Sequence, residues 1–141
     1  MLTLNDAVDL LTRASCAAEQ MGIPMSLAVV DAGGHLLAFH RMDGAPWISA
    51  EVAQGKAFTA AAYRSPTAEQ RSKAESLPHF ATALTAMTRG RYVPQTGGLP
   101  IMLAGECVGG VGASGGTGQE DEQVCATALA GGGTSSSPAS R

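Results

Sequence analysis

Apolar residues return at helical spacing through residues 4–21, with Leu4, Val8, Leu11 and Ala18 as the recurring positions, which predicts an amphipathic first helix. Thr3 stands where its hydroxyl can cap that helix, Asp6 follows in the first turn, and Gly22 and Pro24 stop it. The pattern then changes period. Met25 to Val30 is a short, partly β-branched apolar run and Leu36 to Phe39 is a second. Asp31-Ala32-Gly33-Gly34 joins them, with glycine available for the positive φ of a tight turn, so a β-hairpin is predicted. Asp43-Gly44-Ala45-Pro46 marks a corner, and alanine dominates a helix from about Ile48 to Tyr63.

Ser65-Pro66-Thr67 breaks that helix. Thr67 and Gln70 have capping-box spacing and restart a short polar helix, which Leu77-Pro78 ends before a further helical segment to about Met87. The second half repeats the hairpin logic: Ile101 to Ala104, a Gly105-Glu106 turn, then the glycine-rich strand Cys107 to Ala113. Glycine inside a strand weakens it, and it marks a place where a helix or ligand packs close to the backbone. Thr117 and Glu120 have the Thr-x-x-Glu capping-box form and start a last helix reaching about Ala130. The reading is an α+β fold, a central antiparallel sheet of about five strands flanked by helices. One domain is expected over residues 1–131, and the low-complexity stretch 132–141 is expected to be disordered.

Composition narrows the function classes. A chain of 141 residues, 45% hydrophobic, fits one core, and two domains would each be too thin. A net charge of -3 with no clustered Lys or Arg argues against a nucleic-acid partner. No uninterrupted apolar run reaches membrane-spanning length, and MLTLNDAVDLL lacks a signal-type pattern, so neither a membrane partner nor export is expected and the location expected is cytoplasmic. Cys16, Cys107 and Cys125 are odd in number and widely spaced, which suits reduced thiols acting as small core residues. SGGTGQED precedes a helix start, but it lacks the Gly-Lys-Ser/Thr ending of a phosphate loop and carries acidic residues that repel phosphate.

Candidate chemistry centres on charges set beside apolar structure. Ser49, Lys56 and Tyr63 fall on one stripe of the alanine-rich helix, with Thr59 one turn beyond the lysine. Flanking alanines let this helix approach the sheet closely, so Lys56 either meets a carboxylate or anionic ligand, or snorkels to solvent. Asp121 shares the face of Val124, Cys125 and Ala128 and is a plausible counter-charge; otherwise it only supports the helix N-terminus. Arg41 and Asp43 lie on one side of an extended chain, which suits an ion pair or a ligand clamp. His35 and His40 lie five apart, which aims them at opposite faces of a regular strand and disfavours a shared metal.

The ordered blocks DAGGHLLAFHRMDGA, GKAFTAAAYRSPTAE, GGLPIML and CVGGVGASGGTGQEDEQV resemble the GlcG/HbpS-like haem-degrading domain family, which includes the C-terminal domain of PduO-type corrinoid adenosyltransferases. The resemblance implies a small module with an antiparallel sheet flanked by helices, assembled as a homo-oligomer, and it brings in haem as a possible cofactor. On that basis His40 or His35 is a candidate axial ligand, with His79 of the connecting segment a further one, and Ser49 and Thr59 are candidate cofactor-binding hydroxyls. The function expected is a small accessory protein that binds haem or another small-molecule ligand. The alternative is a small enzyme of isomerase or lyase type, using Lys56, Asp121, Arg41 and Asp43 for acid–base chemistry on a carbonyl or carboxylate compound.

The tail after Gly133 carries no apolar payload, so deleting it should leave the melting temperature unchanged in calorimetry. A large drop would show that the tail contributes to the fold.

Overall fold

The hairpin signals and helix caps translate directly into elements. In the computed structural model, which describes residues 1–132, helix α1 (Leu4–Met21) leads into strands β1 (Ser26–Asp31) and β2 (Leu36–Arg41). Helices α2 (Ile48–Tyr63), α3 (Thr67–Ser76) and α4 (Pro78–Met87) follow, then β3 (Gly98–Leu103), β4 (Glu106–Ser114) and α5 (Gly118–Gly131). The strands lie in the order β2-β1-β4-β3, all pairs antiparallel, so the two hairpins meet through β1 and β4. The α+β class is as the sequence indicates; among the described residues the sheet has four strands where about five were expected. Most of the expected disordered tail, residues 133–141, lies outside the described residues.

Strand alternation sorts the core into two layers. On one face Leu27, Val29, Val111 and Ala113 pack with Leu11 of α1 and Val124, Cys125 and Ala128 of α5. On the other, Ala28 and Val30 meet Ala53, Ala57 and Ala61 of α2. The sheet is therefore covered on both sides, by α1 and α5 on one and by α2 on the other. No helix among the described residues is long and apolar enough to cross a membrane.

The capping box expected at Thr117 forms, the one expected at Thr67 does not, and the Thr3 cap is itself a full capping box. Thr3 accepts from the Asp6 N–H and Thr117 from the Glu120 N–H, and each acidic partner accepts from the cap backbone. Three local readings are corrected. In α1 the buried stripe is Ala7, Leu10, Leu11, Ala14, Ala17 and Ala18, while Leu4 and Val8 are exposed, because the small residues permit closer contact with α5 and the sheet. Thr67 does not cap α3: its hydroxyl accepts from the Gly98 N–H at 2.9 Å, tying the helix start to β3, and both Thr67 and Gln70 are buried. Of the cysteines only Cys125 is a core residue; Cys16 is exposed and Cys107 half-buried.

The glycines of β4 explain how α2 comes so near. A Cβ on Gly110 would strike the Ala57 carbonyl oxygen, and one on Gly112 the Ala53 carbonyl oxygen. The obstacle in each case is helix backbone, which cannot rotate aside as a side chain can. Gly112→Ala should therefore lower stability by about 1–3 kcal/mol through overpacking, measured by urea denaturation, whereas Gly90→Ala, where a Cβ meets open space, should show no overpacking cost beyond the strain of its positive φ of 80°.

Candidate functional site

Polar side chains gather in two separate places. The first is inside the protein. Lys56 extends from the middle of α2, only 4% exposed, and its Nζ donates to Asp121 Oδ2 and to the Ala113 carbonyl oxygen, each at 3.0 Å. Asp121, 2% exposed near the start of α5, accepts from the Gly116 N–H on its other oxygen at 2.9 Å. Since α2 and α5 lie on opposite faces of the sheet, this ion pair joins the two helical layers. It passes Gly97, whose φ of 134° belongs to the region that glycine tolerates best. A Cβ there would sit 2.6 Å from Lys56 Nζ and 2.9 Å from the Asp121 Cβ. A backbone without a side chain is what leaves room for the pair.

Burial raises the Asp121 carboxyl above its ordinary 3.8, outweighing the Gly116 hydrogen bond and the Lys56 charge, which lower it. The neighbouring Cys125 thiol is pushed up to about 12, mainly by burial and next by the Asp121 charge. It is thus a packed, unreactive thiol at neutral pH. The hydroxyls on the same α2 stripe are also held by protein partners. Ser49 donates to the Pro46 carbonyl oxygen and shares a 2.8 Å bond with Ser26, while Thr59 accepts from the Val93 N–H at 2.8 Å. Tyr63, by contrast, lies at the surface.

The second place is an open cleft of about 750 Å³ between the C-terminal half of α1 and the end of β2. Its walls include His40, Arg41 and Asp43 from the sequence candidates, together with Met42, Phe39 and Ile23. His40 pairs across the sheet with Leu27, so its ring faces the α1 layer. There its Nδ1 lies 3.0 Å from Ser15 Oγ. Arg41 and Asp43 form no ion pair with each other; Arg41 donates to the Ala45 carbonyl oxygen at 3.2 Å, bracing the corner before α2. Lys56, Asp121, Ser49 and Thr59 are not among the cleft walls.

His35 belongs to neither place. It sits in the β1–β2 turn, its Nδ1 3.2 Å from Asp31 Oδ1, and is largely exposed. That same carboxylate accepts from the N–H groups of Gly33 and His35, and the His35 backbone bond is the largest influence lowering its pKa. Sequence reasoning missed Ser15 and Glu19 as cleft residues. Their i, i+4 spacing puts them on one side of α1, but nothing local says that this side ends beside β2.

The family described as haem degrading protein HbpS-like matches residues 2–130. Among solved structures, the chain is 35% identical to a double mutant of HbpS from Streptomyces reticuli, with a TM-score of 0.82, covering 94% of this chain and 88% of that one. It is 32% identical to PduOC in a complex with haem, with a TM-score of 0.78, covering 86% and 88%. It is also 35% identical over 122 residues to the corrinoid adenosyltransferase PduO of Citrobacter freundii, covering 85% of this chain but only 36% of that protein's length.

Lys56→Met keeps an unbranched apolar stem but leaves Asp121 buried without its counter-charge. The variant should lose about 3–5 kcal/mol of stability, read by urea denaturation. The Asp121 carboxyl, freed from the lowering effect of Lys56, should titrate higher still by NMR. A raised folded-state value means that this group favours folding fully below 3.8 and loses that contribution as the pH rises through the raised value. The window therefore moves upward in the variant. An unchanged Asp121 titration would show that the pair carries little electrostatic coupling.

Proposed function

This chain belongs to the family of haem-degrading HbpS-like proteins, and from that premise we propose that it is a haem-binding accessory protein whose cleft between α1 and β2 receives the iron porphyrin. The observation that carries the reading is the His40–Ser15 contact at 3.0 Å in the cleft wall. If Nδ1–H donates to the Ser15 hydroxyl, the lone pair of Nε2 is left for a metal. The donor set suits the group. An imidazole can ligate iron, Arg41 at the cleft rim retains guanidinium donors for a propionate beyond the one given to Ala45, and Met42 and Ile23 supply apolar wall, whereas the Phe39 ring packs on the α2 side of the sheet. The volume of about 750 Å³ also lies within the range of small-molecule sites. Bound haem would supply iron-centred redox chemistry; the chain's own residues bind and orient it.

Further support comes from PduOC, the similar structure solved with haem. In this reading Lys56 and Asp121 act on the fold, and Ser49, Thr59 and His35 serve local structure. The outward-facing Leu77, Phe80 and Met87, on and beside α4, 57–73% exposed, support a homo-oligomer in which a neighbouring subunit covers them.

Titration of the purified protein with haemin should give a Soret band that saturates at a defined haem-to-subunit ratio. His40→Ala should shift or abolish that band, while His35→Ala and His79→Ala leave it intact. If all three variants keep the wild-type spectrum, histidine ligation is wrong. If the wild type itself shows no saturable spectrum, the haem reading is wrong.

A further inference from the structure

The walls of the cleft carry one full positive charge and two negative ones. Arg41 is the sole Lys or Arg among them, while Asp43 follows it on the corner and Glu19 faces the same space from α1. Not one wall residue is buried: Arg41, Asp43 and Glu19 are exposed, and His40, Ser15 and Met42 are only half-buried. Such a cleft differs in two physical respects from a site that stores a cofactor. A storage pocket covers most of its ligand, whereas this one leaves a bound molecule in contact with water. The wall charge also opposes an anionic ligand, because haem brings two propionates to a place where one guanidinium is accompanied by two carboxylates.

Resting on the haem reading of this cleft, we propose that the protein holds haem transiently and passes it on, with Glu19 and Asp43 setting the rate of release. His40 and Arg41 give the site enough affinity to capture an iron porphyrin. The two carboxylates repel its propionates and keep dissociation fast. No bond other than the iron–nitrogen contact forms or breaks, and the ligand leaves as it arrived. Neither carboxylate has a protein partner, for no ion pair or side-chain hydrogen bond involves Glu19 or Asp43 among the described residues. Their charge is thus directed at solvent and at whatever enters the cleft, and neither is needed to hold the fold together.

The test uses haemin-loaded protein mixed with excess apomyoglobin as scavenger, following the loss of the protein's Soret band in a stopped-flow spectrometer. Wild type should give up its haem within seconds to minutes. The Glu19→Gln/Asp43→Asn variant should release it about threefold to tenfold more slowly at low salt, and the difference should shrink at high salt as the charges are screened. Glu51→Gln, a surface carboxylate change outside the cleft walls, should leave the rate unchanged. Retention by wild type for hours would overturn the proposal, as would equal release from the double variant and wild type. A failed haemin titration is seen before any scavenger is added; it refutes the haem reading itself and this inference with it. Saturable binding followed by slow release refutes the transfer role alone.

Discussion

A single buried ion pair ties together the two sides of this molecule. Lys56 reaches from the helix on one face of the sheet, past a glycine with no side chain to obstruct it, to Asp121 at the start of the helix on the other. Two charges removed from water are costly unless every polar atom finds a partner. Here the lysine also meets the Ala113 carbonyl oxygen, and the aspartate also meets the Gly116 amide. The arrangement fixes where α2 can lie along β4. That position in turn requires glycine at Gly110 and Gly112, where helix carbonyl oxygens occupy the space of a side chain.

The division of labour follows from burial. Groups that a catalytic reading would choose first, Lys56 and Asp121, are enclosed and hydrogen-bonded to the protein, so their chemistry is directed inward. Groups at the end of edge strand β2 remain accessible. His40, Arg41 and Asp43 line an open cleft, and among the described residues only Ser15 hydrogen-bonds the imidazole. A sheet end and an adjoining helix position these side chains, while the exposed corner between β2 and α2 leaves the cleft open to solvent.

Much of this could be read from the chain itself. The hairpins, the Thr3 and Thr117 caps and the alanine-rich helix are local: turn glycines, Thr-x-x-acid spacing and residue period act over a few neighbours and decide these elements without outside help. The face of Asp121 was equally legible, because Val124, Cys125 and Ala128 stand at fixed helical offsets from it, and all four are buried.

What the tertiary structure alone decided are meetings between residues far apart in sequence. Lys56 and Asp121 are separated by 65 positions, Ser15 and His40 by 25, and Thr67 and Gly98 by 31. Thr67 shows the limit clearly: its spacing to Gln70 offered a local cap, but a buried backbone amide on β3 took its hydroxyl instead, since an unpaired amide there would cost more than an uncapped helix end in water. The stripe of α1 that became buried was likewise chosen by the neighbour it met, small residues winning over larger ones where α5 packs close. Sequence fixed the period and the ends of each element; the approach of one element to another fixed which polar groups were shut in and which were left facing the cleft.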